Sequence, residues 1–205
     1  MKYIDLTHIF TKDMPVFPGD AAAELLPTAL VAKDGVSDQK VISGMHVGTH
    51  MDSPGHMLIG GKLLSDYPVE KFFGRAVIID ARGKKSAEEE VIVSASIKKG
   101  DIVLVCFGWS SEFHEDEYYI NYPEISKAFS ERLVELGVSM IGMDSPSPDR
   151  APYEVHKILL KGDILIIENL TNLERLIGRQ NFEIIALPAK FQADAAFCRV
   201  VAKII

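Results

Sequence analysis

Apolar and polar positions fall into short runs broken by turn residues, and the spacing within each run separates strands from helices. Residues 3–10, 39–45, 76–81, 102–107, 139–143, 164–168, 182–186 and 197–204 alternate or are continuously apolar and rich in β-branched side chains, so they predict strands. The clearest helix is 123–136. Ile125, Phe129, Leu133 and Leu136 recur there at helical spacing, Pro123 suits a first turn, and Gly137 supplies the stop. Residues 69–73, 153–160 and 173–177 carry a weaker helical pattern. Many strands with few helices predict an α/β domain built on a mixed sheet or open barrel with flanking helices, rather than a doubly wound fold. KGDIVLV at 99–105 returns as KGDILII at 161–167, which reads as one Gly-Asp turn used at two strand entries.

Composition narrows this picture. The 205 residues contain no Pro-rich, Ser-rich or low-complexity linker, so 1–205 is expected to be one domain. A formal charge of −7 without a dense basic run argues against nucleic acid as a partner. No apolar run approaches the roughly 18 residues of a membrane span. Asp5 and His8 come too early for a secretory apolar region, so a cytoplasmic protein with no membrane partner is expected. Cys106 and Cys198 lie in apolar surroundings outside any CxxC, which favours buried, reduced thiols over a disulfide.

The candidate chemistry concentrates in residues 46–56, HVGTHMDSPGH, which hold three of the six histidines. Imidazole nitrogen and carboxylate oxygen are ligands of zinc, manganese and iron, and His46, His50, Asp52 and His56 supply four such groups. A straight strand would place His46 and His50 roughly 13 Å apart, too far for one ion. A helix would bring them together, but Val47, Gly48 and Thr49 are poor helix formers and Pro54 follows. The remaining solution is a strand ending near Met45 and a bend at Gly48–Thr49 that folds the ligands round a common point. Glu168 ends an apolar run, where a carboxylate must be paired, metal-bound or used as a helix cap. His156, among apolar neighbours in YEVHKILL, reads by itself as a satisfied, partly buried histidine.

These residues resemble the metal-dependent cyclase-like hydrolases that include bacterial kynurenine formamidases and isatin hydrolases. Their HxGTHxDxPxH signature is matched at every fixed position by His46, Gly48, Thr49, His50, Asp52, Pro54 and His56. DLTH at 5–8, MPVFPGD at 14–20, FGW at 107–109, GMDSPS at 142–147, His156 and ENL at 168–170 follow in the family's order. The resemblance implies a swivelling β/β/α cyclase-like fold, a homodimer or homotetramer, and a small-molecule substrate. It implies one or two divalent ions, zinc or manganese. His46, His50 and Asp52 would hold the first, His156 would help hold the second, and Asp52 and Glu168 would bridge them. His56 then becomes the acid/base residue.

The reaction so implied is hydrolysis of a formyl or cyclic amide, with N-formylkynurenine and tryptophan catabolism as the specific case. A bound divalent ion makes water a usable nucleophile by lowering its pKa to about 7. Phe17 stands where the formamidases usually carry Trp in MPxWPGD, keeping a stacking face without the indole N–H. Trp109 is a candidate for the same pocket, or a core residue. His8 reads as structural, His114 as solvated, and Asp144 and Ser145 as turn residues, because DSPS lacks the GxSxG of a nucleophile elbow. Cyclisation or dehydration by the same metal, and a non-catalytic metal- or ligand-binding module, are the competing readings.

Overall fold

The continuous apolar runs become strands covered on both faces. A computed structural model describes residues 2–93 and 96–205. Its strands are β1 (Lys2–Asp5), β2 (Glu24–Ala29), β3 (Asp38–Ile42), β4 (His50–Asp52), β5 (Phe73–Asp80), β6 (Ser86–Ala87), β7 (Ile102–Cys106), β8 (Glu124–Ile125), β9 (Met140–Met143), β10 (Leu165–Glu168), β11 (Phe182–Pro188) and β12 (Ala195–Ile204). Its helices are α1 (Val31–Asp34), α2 (Glu90–Val93), α3 (Lys127–Leu136) and α4 (Glu154–Lys161).

The main sheet runs β1-β12-β11-β5-β7-β9-β10-β4, and β12 also pairs with β4. The strands from β12 round to β4 therefore close into a barrel-like ring, with β1 flanking β12. Neighbours among β5, β7, β9 and β10 are parallel, and the other pairs of the main sheet are antiparallel. This is the mixed, barrel-like α/β domain that the strand count predicted.

Ile102, Leu104 and Cys106 of β7 pack with Met51, Leu165, Ile167, Ala196 and Val200 in one core. Val103 and Val105 pack on the other face with Phe129 and Leu133 of α3 and Leu159 and Leu160 of α4. A strand buried on both faces has no polar side to show, which is why these runs lack alternation. The two Gly-Asp turns serve different neighbours. Asp101 accepts from Arg75 Nε at 2.8 Å, whereas Asp163 accepts from Tyr67 Oη at 2.7 Å.

Several boundaries differ from the sequence pattern. The helix expected from 123 begins at Lys127, because Ser126 caps it by accepting from Phe129 N at 3.2 Å. Glu124 and Ile125 instead pair with β6. The strand expected over 39–45 ends at Ile42 and forms a hairpin with β2, which the pattern missed. Residues 30–42 are all exposed, so no burial periodicity marks this arm. The first strand ends at Asp5 rather than at residue 10. Both cysteines are buried free thiols. Among the described residues, no helix is long and apolar enough to cross a membrane.

Candidate metal centre

β4 is only three residues long, yet it is paired on both edges. Period-2 alternation sends Met51 into the barrel core and leaves His50 and Asp52 together on the opposite face. Register supplies the rest: on β10, Glu168 lies opposite His50, and on β12, Ala195 lies opposite Asp52. The neighbouring Asp194 continues this pairing, its carbonyl accepting from Ser53 N at 2.9 Å.

His46 reaches the same point through the expected bend. Gly48 has φ +65°, and a Cβ there would meet the Met14 methyl at 2.5 Å, so a side chain would be both strained and obstructed. Thr49 Oγ1 donates to the Asn169 carbonyl at 2.6 Å, and Asn169 Nδ2 donates to the Gly48 carbonyl at 3.0 Å. Tyr118 Oη in turn donates to Asn169 Oδ1 at 2.8 Å. The His46 and His50 ring centroids end 5.1 Å apart. His56 follows from a single 3-10 turn, Pro54–His56, and α4 brings His156 from the other side.

Each imidazole has one nitrogen held by a fixed acceptor, and that nitrogen carries a proton. His50 Nδ1–H donates to the Gly48 carbonyl at 2.8 Å, and His156 Nδ1–H to Asp149 Oδ1 at 2.5 Å. Asp194 Oδ2 accepts from His46 Nε2–H at 3.0 Å and from His56 Nδ1–H at 3.3 Å. The opposite nitrogens of three rings face carboxylates. His46 Nδ1 and His50 Nε2 lie 2.9 and 3.4 Å from Asp52 Oδ1, while His50 Nε2 and His156 Nε2 each lie 3.3 Å from an oxygen of Glu168.

These last contacts are close but not aligned as hydrogen bonds. His50 Nε2, both Asp52 oxygens and Glu168 Oε1 are buried with no hydrogen-bond partner. Each such group costs about 1–3 kcal/mol unless something satisfies it. Nitrogen and oxygen ligands held about 2.0–2.2 Å from one ion lie about 3.0–3.5 Å from one another, so the observed spacings suit donors aimed at a shared cation. Two triads have donor atoms within 4.8 Å of one another: His46, Asp52 and His56, and His50, Asp52 and Glu168. Asp52 belongs to both. The resemblance implied His46 and His50 on one ion with His56 outside the ligand set; His46 Nδ1 and His50 Nε2 do face the same oxygen, Asp52 Oδ1.

The electrostatics carry the same demand for positive charge. Burial alone would lower the His50 pKa, but Asp52 and Glu168 outweigh it and hold it well above the ordinary value. Burial is likewise overcome at His156, which Asp149 and Glu168 push up to about 10. Asp52, despite burial, is held well below the usual carboxylate range by His50 and His46. His56 goes the other way: burial lowers its pKa, and with the charges of His46 and His156 it outweighs the opposing pull of Asp52 and Glu168.

A cleft of about 320 Å³ opens over the cluster, with His46, His56, His156 and Glu168 at its base and Phe17, Met57, Tyr119, Pro146 and Tyr153 among its walls. Phe17 meets Tyr119 edge to face at 5.5 Å. Trp109 is not among the lining residues. Its partly buried indole packs into the hydrophobic core and donates Nε1–H to the Tyr118 carbonyl at 3.0 Å, the partner that a buried indole requires. A larger recess of about 760 Å³ beside β5 contains none of the histidines, so volume alone does not locate the chemistry.

The sequence does not single out Asp149 or Asp194, and Asn169 stands out there only within ENL at 168–170. Asp194 borders an apolar strand as Glu168 does, and the reasoning that flagged one applies to the other. Asp149 Oδ2 also accepts from Val155 N at 2.7 Å in the first turn of α4, so a search for helix-start acceptors would have reached it.

The cyclase family model matches residues 4–150. The chain is 31% identical over 204 residues to a kynurenine formamidase of Erythrobacter litoralis (strain HTCC2594), covering 96% of this chain and 91% of that protein. It is 29% identical over 194 residues to a kynurenine formamidase of Delftia acidovorans (strain DSM 14801 / SPH-1), covering 91% and 90%. Among solved structures, isatin hydrolase A from Labrenzia aggregata bound to benzyl benzoate matches with a TM-score of 0.87 at 22% identity, over 98% of this chain and 93% of that one. At that identity the likeness speaks for the fold.

Proposed function

Because the chain belongs to the cyclase family, we propose that it is a divalent-metal-dependent hydrolase of small amides, cleaving the C–N bond of a formamide or cyclic amide in the manner of its kynurenine formamidase relatives. One observation carries the reading: four buried donor atoms of His50, Asp52 and Glu168 lack hydrogen-bond partners in a site bordered by His46 and His156. Nitrogen and oxygen donors without cysteine suit zinc or manganese. An ion held there would polarise a carbonyl and make water acidic enough to attack it at neutral pH.

The chain's own groups do the remaining work. With its Nδ1–H engaged by Asp194, His56 has Nε2 free to carry a proton. Hydrolysis adds the water oxygen to the carbonyl carbon and a proton to the leaving nitrogen as the C–N bond breaks. His56 Nε2 takes the proton from water and hands it to that nitrogen, converting a poor amide anion into a neutral amine leaving group. Phe17 and Tyr119 offer aromatic faces to a planar substrate, which favours an aryl formamide such as N-formylkynurenine or a bicyclic amide.

The test is a panel of N-formylkynurenine, isatin and simple formyl amides, assayed with protein stripped by a chelator and reloaded with Zn²⁺ or Mn²⁺. Activity is expected only after reloading. Full turnover by metal-free protein would sink the proposal. Running the reaction in isotopically labelled water separates hydrolysis, which incorporates solvent oxygen into the product, from cyclisation or dehydration, which does not.

A further inference from the structure

The acceptor that the two rim histidines share comes from a distant part of the chain. Asp194 lies 148 residues from His46 and 138 from His56, yet a single oxygen, Oδ2, meets both rings. Its backbone is pinned independently of those contacts. The Asp194 carbonyl accepts from Ser53 N at 2.9 Å and from Ser53 Oγ at 2.7 Å, and the preceding Ala193 carbonyl accepts from Leu64 N at 3.1 Å. The carboxylate is therefore presented from a fixed base to rings whose centroids are 4.1 Å apart.

A carboxylate has no hydrogen to donate, so any ring nitrogen it meets must carry the proton. His46 meets carboxylates at both nitrogens, Nε2 at Asp194 and Nδ1 at Asp52, so a cation bound between Nδ1 and Asp52 would displace the Nδ1 proton and leave the Nε2–H on Asp194. For His56 the proton-bearing nitrogen is Nδ1, leaving Nε2 as the only nitrogen able to take up a proton. The two rings thus present different nitrogens to the site although one oxygen holds them both.

We infer that Asp194 is the positioning residue that sets the tautomers of His46 and His56 together, readying one ring as a ligand and the other as a proton carrier. The inference rests on the proposed function for the roles of the two rings and for the metal-bound form of His46, but not for the His56 tautomer. Asp194→Ala is the informative variant. It removes the shared oxygen from both rings, whereas the single amide oxygen of an asparagine could take the place of Oδ2 and accept from both.

The experiment is long-range ¹H–¹⁵N correlation of histidine-labelled protein, metal-free and zinc-loaded, at a pH where neither ring is doubly protonated, with kinetics on the same samples. The wild type is expected to show His56 as the Nδ1–H tautomer and zinc-loaded His46 as Nε2–H. In Asp194→Ala at least one of these populations should shift, and kcat should fall about 10–100-fold, as is usual for the loss of a partner that orients a site histidine, with KM little changed. Wild-type His56 found as Nε2–H overturns the inference without any variant, and so do unchanged tautomers in Asp194→Ala. If the tautomers shift but no amide of the panel is cleaved, the proposed function falls and this inference stands.

Discussion

The floor and the rim of the site hold the same kinds of residue in opposite circumstances. On the floor, the side chains of His50, Asp52, His156 and Glu168 are at most 7% exposed; on the rim, those of His46, His56 and Asp194 are 24–39% exposed. Floor residues sit on regular elements whose pairing leaves them no freedom: β4, β10 and α4. Rim residues sit on turns and are held by one another. Buried groups that lack partners need a cation, whereas partly exposed groups can exchange protons with water and substrate. One site therefore divides into a part suited to holding charge and a part suited to moving it.

The strongest way to break this division is Asp52→Ala, which removes the carboxylate common to both triads. It is expected to abolish turnover and metal binding together. A variant that still holds one equivalent of Zn²⁺ by elemental analysis would show that the floor is not organised around Asp52. His56→Ala comes next: kcat should drop about 10²–10⁴-fold while metal is retained. If metal is lost in parallel, His56 moves into the ligand set of the His46–Asp52 triad and the rim ceases to be distinct.

Asp149→Asn perturbs the floor from behind, since Asp149 holds His156 Nδ1. Metal affinity measured by competitive chelation should fall about 10–100-fold, and unchanged affinity would leave His156 outside the metal shell. Phe17→Leu removes a wall of the cleft without touching the cluster. Loss of an aromatic contact worth about 0.5–1.5 kcal/mol should raise KM about 2–10-fold for an aryl amide, with little change for formamide itself.

Outside the site lies His8, a histidine of neither group, which stacks on Phe113 at 3.8 Å. Burial, aided by His114, lowers its pKa to about 4. A depressed pKa means that the unfolded chain binds the proton more readily. The stability contributed is thus complete above about pH 6.5 and is lost as pH falls toward 4, in an amount on the order of 2 kcal/mol once partial exposure and screening are allowed for. Denaturant melts of the wild type and His8→Gln should diverge across that interval; parallel curves would remove His8 from the acid sensitivity of the fold.

Legibility in the sequence followed burial. β7, β9 and β10 stand out because both faces are covered, while the β2–β3 arm is half missed because none of its residues is buried. The start of α3 was misread because a proline's helix preference is local, whereas the β6–β8 pairing is not. His46, His50, Asp52 and His56 were visible because they lie within eleven residues. His156 and Glu168 rose above their surroundings through family resemblance, and Asp149 and Asp194 went unnoticed.

By itself the sequence determined which segments are buried and which ligand types cluster, because side-chain polarity and glycine placement are written locally. Only the tertiary structure decided that Glu168 faces His50, that Asp194 borders Asp52, and which nitrogen of each ring points inward. Those choices depend on strand register and, for His46 and His56, on an acceptor more than a hundred residues away. Apolar periodicity specifies the face of a strand; it does not specify the neighbour.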